Sequence, residues 1–140
     1  MRVLVSGGAG YIGSHACKAL AAAGYVPVTY DNLCTGWREA VKFGPFEQGD
    51  LMDRARLDEI FAIHRPVAVM HFAALSQVGE AMREPGKYWR GNVCASLNLI
   101  EATIAAGGTA ARRCAGGVHP LRWGPCRRGT CAATAVVRSS

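Results

Sequence analysis

Residues 2–14, RVLVSGGAGYIGS, carry the fold in outline. Arg2–Ser6 (RVLVS) is a short run of β-branched residues and Leu, which reads as a buried strand, and Gly7-Gly8-Ala9-Gly10 stops it. Ile12, Ala16, Ala19, Leu20 and Ala23 then recur at helical spacing, and Gly24 supplies a C-terminal stop. Tyr25–Tyr30 (YVPVTY) reads as a second strand whose start is blurred by Pro27, because proline has no N–H for a central ladder. Asp31-Asn32 form the turn that follows.

Farther out, Phe46–Gln48 reads as a third, short strand leading to Gly49-Asp50. Asp53 is placed to cap a helix over Arg54–His64, with Leu57, Ile60 and Phe61 on its apolar side. Val67–Phe72 (VAVMHF) is the clearest buried strand after the first, and His71 near its end reads as a structural histidine. A long helix is expected from about Pro85 to Ala106, carrying Val93, Leu97, Ile100, Ala102 and Ile104. Strands alternating with helices, with no period-two hairpins, predict an α/β fold. It is a Rossmann-like parallel sheet with helices on both faces.

Gly8-x-Gly10-x-x-Gly13 sits between that first strand and first helix, and Asp31 follows 18 residues after Gly13. The glycines have steric tasks: a tight turn, close approach of backbone to a pyrophosphate, and close packing of helix on sheet. The first helical amides, Tyr11 and Ile12 among them, offer unpaired N–H groups and a partial positive charge to phosphate. Asp31 is placed to accept from an adenosine ribose and disfavours a 2′-phosphate. Like charges about 4 Å apart cost on the order of 4 kcal/mol at an effective dielectric near 20. No Lys or Arg directly follows Asp31, so NAD is expected over NADP.

Beyond the glycine pattern, SGGAGYIGSH, YDNLCTG, GDLMD, HFAALSQVGE and YWRGNV stand in an order and spacing that resembles the UDP-glucose 4-epimerases, extended short-chain dehydrogenase/reductases. The resemblance covers about residues 1–107. It implies a cytoplasmic, NAD-dependent isomerase of galactose metabolism, interconverting UDP-glucose and UDP-galactose, with a UDP-hexose as substrate. It also implies that Gly7, Gly10, Tyr11, Ile12 and Gly13 line the pyrophosphate, and that Asp31, Asn32, Thr35 and Gly36 surround the adenosine ribose. Asp50 and Leu51 would flank the adenine. Phe72, Ala73 and Ala74 would lie beside the nicotinamide half, and Asn92 would reach the cofactor from the long helix. Ser6 stands where the family usually has Thr, which keeps the hydroxyl.

In the family a Tyr-x-x-x-Lys pair carries the chemistry. Tyr acts as base at the sugar 4-hydroxyl and Lys lowers its pKa. Here the residues four positions after Tyr11, Tyr25, Tyr30 and Tyr88 are His15, Thr29, Cys34 and Asn92, so no catalytic residue is assigned. Two alternatives stand beside the epimerase reading: an NAD-binding module without catalysis, and another nucleotide-sugar epimerase or dehydratase of the superfamily.

Composition changes abruptly near Gly107. Residues 1–106 hold ten Lys and Arg against ten Asp and Glu. Residues 107–140 hold six Arg and no acid, so the formal +6 of the 140-residue chain belongs to its end. The segment GTAARRCAGGVHPLRWGPCRRGTCAATAVVRSS has no strand alternation and no helical face. It predicts two parts: an NAD-binding Rossmann part at 1–107, and an Arg/Gly/Cys-rich tail at 108–140, disordered or translated out of frame. The sheet would then be truncated after the fourth strand and its following helix, leaving VAVMHF as an exposed apolar edge. Cys114, His119, Cys126 and Cys131 lack a CxxC knuckle, so no metal site is expected. No nucleic-acid-binding motif accompanies the arginines. Half the residues are apolar, yet no apolar run reaches the roughly 18–20 residues of a membrane span, and the N-terminus does not read as a signal peptide. A soluble protein without nucleic-acid or membrane partners is expected.

Overall fold

The first strand, β1 (Arg2–Ser6), is buried from Val3 to Ser6 without alternation, because it lies in the middle of a sheet covered on both faces. The computed structural model describes residues 1–114, 117–120 and 134–138, with side chains as far as Gly107. After β1 come α1 (Tyr11–Ala22), β2 (Val26–Asp31), β3 (Phe46–Gln48), α2 (Arg54–His64) and β4 (Ala68–His71). Strands β3, β2, β1 and β4 lie side by side in that order, all parallel. Val67 N–H still bonds Arg2 O and Phe72 N–H still bonds Ser6 O, so the β4 ladder runs the full length of the expected VAVMHF strand.

Pro27 fits inside the sheet because of where its missing N–H falls. Val26 N–H points to Met1 O on the β1 side and Thr29 N–H points to Pro45 O on the β3 side. By strand alternation Pro27 faces the β3 side, where pairing begins only at Thr29 opposite Phe46. Asp53 caps α2 as expected, its carboxylate accepting from Arg56 N–H at 3.0 Å.

The two sheet faces are filled differently. Leu4, Val28, Tyr30 and Val69 pack with Leu57, Ile60 and Phe61 of α2, together with Ala95, Leu99 and Ala102 from the last helix. On the opposite face, Val3 and Val5 pack with Cys17 and Leu20 of α1.

α3 (Val78–Arg83) precedes the helix expected over 85–106, which is present as one continuous run of α4 (Pro85–Tyr88), a π-helical segment, Trp89–Cys94, and α5 (Ala95–Ala105); the π segment inside it is the feature not expected. Gly91 lies within the π segment, and Leu75 packs on its bare backbone: a Cβ there would sit 2.7 Å from Leu75 Cδ1. A local helical pattern does not report such a distant contact.

Beyond Gly107, where composition predicts no regular structure, the backbone forms β5 (Gly108–Cys114), β6 (Gly117–Pro120) and β7 (Thr134–Arg138). β7 pairs antiparallel with β4, placing Thr134 opposite His71 and Val137 opposite Ala68, and β5 and β6 continue outward. This corrects the expected edge: β4 is an inner strand. A row of unpaired N–H and C=O groups along β4 is satisfied by the β-branched TAVVR segment, which stands out little in a tail dominated by Arg, Gly and Ala. The parallel part does end at β4 and α5. Of the four tail residues weighed as metal ligands, Cys126 and Cys131 lie outside the described residues.

Candidate functional site

At the carboxyl ends of β1, β2 and β4 a cleft of about 180 Å³ opens. Open α/β sheets place ligands at this end of the strands. The floor is the turn after β1. Gly7 takes φ +73°, its N–H bonds Tyr30 O at 2.9 Å, and a Cβ on it would collide with the Ala73 backbone. A Cβ on Gly13 would collide with Gly7 O, so the start of α1 can press directly on the turn. Gly10 caps α1 through its backbone with no side-chain bond, and no acid occupies the first turn. The amides of Tyr11, Ile12 and Gly13 therefore lack intrahelical partners. The side chains of Tyr11 and Ile12 turn to solvent, 82% and 61% exposed, with the Tyr11 ring against His15.

The β2 side carries the acid. Asp31, 9% exposed, accepts Ala9 N–H with Oδ2 at 3.0 Å and Leu33 N–H with Oδ1 at 2.9 Å. Leu33 adopts φ 60°, a left-handed value that costs roughly 1 kcal/mol for a non-glycine residue; its bond to Asp31 offsets that cost. Trp37 N–H returns to Ala9 O at 3.0 Å, so Ala9 ties the loop bearing Thr35 and Gly36 to the glycine turn. Asn32 Nδ2 donates to Asp50 Oδ2 at 2.9 Å, while Asp50 Oδ1 accepts from Met52 N–H and its carbonyl accepts from the Tyr30 hydroxyl at 2.8 Å. Burial first, then the negative charge of Asp53, pushes the Tyr30 phenol up to about 12. Leu51 is buried in the core beneath.

The third wall is Phe72, Ala73, Ala74 and Leu75, the loop after β4. Asn92 is absent from the cleft lining. Its Oδ1 accepts Leu75 N–H at 2.8 Å and its Nδ2 donates to Leu75 O at 3.0 Å, so both amide atoms are engaged by that loop. Of the other residues assigned from the resemblance, Gly7, Gly10, Asp31, Asn32, Thr35, Gly36, Asp50, Leu51, Phe72, Ala73 and Ala74 line the cleft, while Tyr11, Ile12 and Gly13 stand outside its lining at the start of α1. Tyr30, Cys34, Gly49, Leu75, Gly91 and Ala95 line it too and were not singled out. Tyr30, Cys34, Gly49, Leu75 and Gly91 are embedded in the YDNLCTG, GDLMD, HFAALSQVGE and YWRGNV stretches and could have been found there. Ala95 becomes visible only once the chain folds back.

A dinucleotide fits this chemistry. A Cβ at Gly36 would fall 3.1 Å from Asp31 Oδ1, narrowing the space over the acid. Among the described residues no Lys or Arg side chain lines the cleft, so phosphate charge would be met by the open α1 amides and helix dipole. Among the described residues no three His, Cys, Asp or Glu converge as metal ligands, and no helix is long and apolar enough to cross a membrane.

Comparison with known proteins agrees with this geometry. Residues 3–113 match the NAD dependent epimerase/dehydratase family, running a few residues past the Gly107 boundary. A UDP-glucose 4-epimerase of Rhizobium leguminosarum bv. trifolii is 55% identical over 105 residues, 75% of this chain and 32% of that protein. The Rhizobium meliloti UDP-glucose 4-epimerase is 54% identical over the same shares. The crystal structure of the Brucella ovis UDP-glucose 4-epimerase in complex with NAD superposes with a TM-score of 0.74 at 51% identity, covering 75% of this chain and 32% of that one. The chain thus spans about a third of the length of these relatives. With a parallel sheet in the order β3-β2-β1-β4 and an uncapped helix start beside a buried acid, the chain belongs to the NAD dependent epimerase/dehydratase family.

Proposed function

We propose that residues 1–107 are an NAD-binding unit of UDP-glucose 4-epimerase type, and that this 140-residue chain binds NAD without turning over a UDP-hexose. One observation carries the reading: the uncapped start of α1 and the Asp31 carboxylate open on the same cleft, separated by the glycine turn. The amides of Tyr11, Ile12 and Gly13 would hold the pyrophosphate over Gly7 and Gly10. Asp31 would accept from the adenosine ribose, within the loop formed by Asn32, Thr35 and Gly36. Asp50 and Leu51 would border the adenine, while Phe72, Ala73 and Ala74 would exclude water from the nicotinamide half. Asp31 would also repel a 2′-phosphate, so NAD is preferred to NADP.

The chemistry that bound NAD supplies in the family is reversible hydride acceptance from the sugar. Within this chain no tyrosine has a lysine four residues on, so no side chain is offered to take the 4-hydroxyl proton. UDP-glucose as a substrate is carried from the relatives' names; UDP-galactose, a cytoplasmic setting and a place in galactose metabolism are what the resemblance to the epimerases implies for the type as a whole. Under this reading the sequence of residues 108–140 is an out-of-frame continuation of the coding sequence, even though β7 and β5 extend the sheet from β4.

Calorimetric titration of the chain with NAD and NADP tests the cofactor half of the proposal, and a UDP-galactose turnover assay tests the other. Saturable NAD binding, at least tenfold weaker NADP binding and no product are expected. Measurable UDP-glucose formation would overturn the inactivity, and equal affinity for NADP would overturn the role of Asp31.

A further inference from the structure

Behind the third wall of the cleft, four polar side chains link three elements. Ser6 at the end of β1 meets His71 Nδ1 at 2.6 Å, and His71 Nε2 meets Ser96 Oγ of α5 at 2.8 Å. The Ser96 hydroxyl donates to Asn92 O, which fixes the direction of the whole chain. Ser96 must accept from His71 Nε2–H, and His71 Nδ1 must then accept from the Ser6 hydroxyl. One neutral imidazole tautomer satisfies every bond. Asn92, whose carbonyl ends this chain, grips Leu75 with both atoms of its amide.

We propose that His71 is a positioning residue for the cofactor cleft: as the neutral Nε2–H tautomer it sets Ser96 and Asn92, and through them the Phe72–Leu75 wall. The proposal rests on the NAD reading above for its functional consequence, but the linkage itself does not. Leu75 is held from two sides, by the Asn92 amide and by packing on Gly91, and both contacts come from the π segment that the chain anchors.

The surroundings of His71 favour the neutral form. Desolvation by burial is the cause that holds its pKa below the ordinary imidazole value. Ser6 from β1 and Ser96 from α5 are uncharged, and β7 places Thr134 in register on the other side. The one acid of α5, Glu101, is paired with Arg54. Protonation would put a second N–H against Ser6 and remove the acceptor that its hydroxyl needs. Weakening of the wall is therefore expected as pH falls below the ordinary imidazole range.

Two substitutions separate this role from simple space filling. Glutamine carries its amide to the Nε2 position and can still donate to Ser96; asparagine reaches only the Nδ1 position and cannot. The readouts are hydrogen exchange of the Leu75 amide by NMR and NAD affinity by calorimetry, both on the full chain. His71→Asn should raise the Leu75 exchange rate and the NAD Kd about tenfold each, the factor expected for about one hydrogen bond. His71→Gln should stay within about twofold of the parent and should lose the weakening at acid pH. Ser96→Ala, a smaller change, should reproduce the asparagine effect if His71→Asn fails to fold. Unchanged Leu75 protection in His71→Asn or Ser96→Ala, or equal loosening by Gln and Asn, overturns the proposal. Absence of NAD binding by the parent chain overturns the cofactor reading alone, because Leu75 exchange still decides the linkage.

Discussion

Two walls of one cleft are built by different means. The turn between β1 and α1 is made of backbone: glycines at contact distance, amides without caps, and one buried acid that accepts from Ala9. The loop after β4 is held by side chains, through Ser6, His71, Ser96 and Asn92 in sequence. The first wall has no intermediate state, since an added Cβ must push two backbones apart. The second can loosen by degrees, because each link is one hydrogen bond. The cleft proposed for NAD thus combines a rigid floor with a tunable side.

The largest expected effect breaks the rigid wall. Gly7→Ala combines a left-handed φ with a clash against Ala73 and should destabilise the chain by about 3 kcal/mol or more in urea unfolding, with NAD binding lost. Gly24→Ala has a similar φ of +82° but open space around it, so it should cost only about 1 kcal/mol and leave NAD affinity unchanged. The gap between the two isolates the close approach at the floor of the cleft.

Next comes the tunable wall. Asn92→Ala removes both bonds to Leu75 and should cost about 2 kcal/mol, with NAD affinity reduced but not abolished. Tyr30→Phe tests the ground between the walls. It deletes the bond to Asp50 O and should cost about 1.5 kcal/mol. The phenol is raised from its ordinary value of 10.0 to about 12, so the unfolded chain ionises first. Stability contributed by Tyr30 is complete below pH 10 and declines as pH rises from there toward 12. That alkaline decline should be smaller in Tyr30→Phe. The smallest effect lies away from both walls. Asp53→Ala removes the α2 cap for about 1 kcal/mol, and NAD affinity should not change.

The same contrast explains which features can be read from the chain. The rigid wall is written locally. Gly7 to Gly13 must be small for steric reasons that act within a few residues, and Asp31 follows at the end of the next strand, so turn, helix and acid are legible together. The tunable wall is not. Asn92 resembles a cofactor contact by motif, yet its amide is engaged by Leu75, 17 residues earlier, a pairing that exists only after folding. The π segment escapes for the same reason, since Leu75 lying on Gly91 leaves no trace in helical periodicity. Pro27 is the converse case: a local rule disfavours it, and the short reach of β3 makes room for it. Beyond Gly107 an unusual composition masks the TAVVR run, which finds its place only through pairing with β4 on one side and β5 on the other.

The most direct test of the account is a two-dimensional amide NMR titration of the full 140-residue chain with NAD. Saturable shifts should appear together at Gly10–Gly13, at Asp31–Gly36 and at Phe72–Leu75, with one common dissociation constant. A folded spectrum in which millimolar NAD moves none of these amides, or moves only amides elsewhere, would contradict the assignment of the cleft.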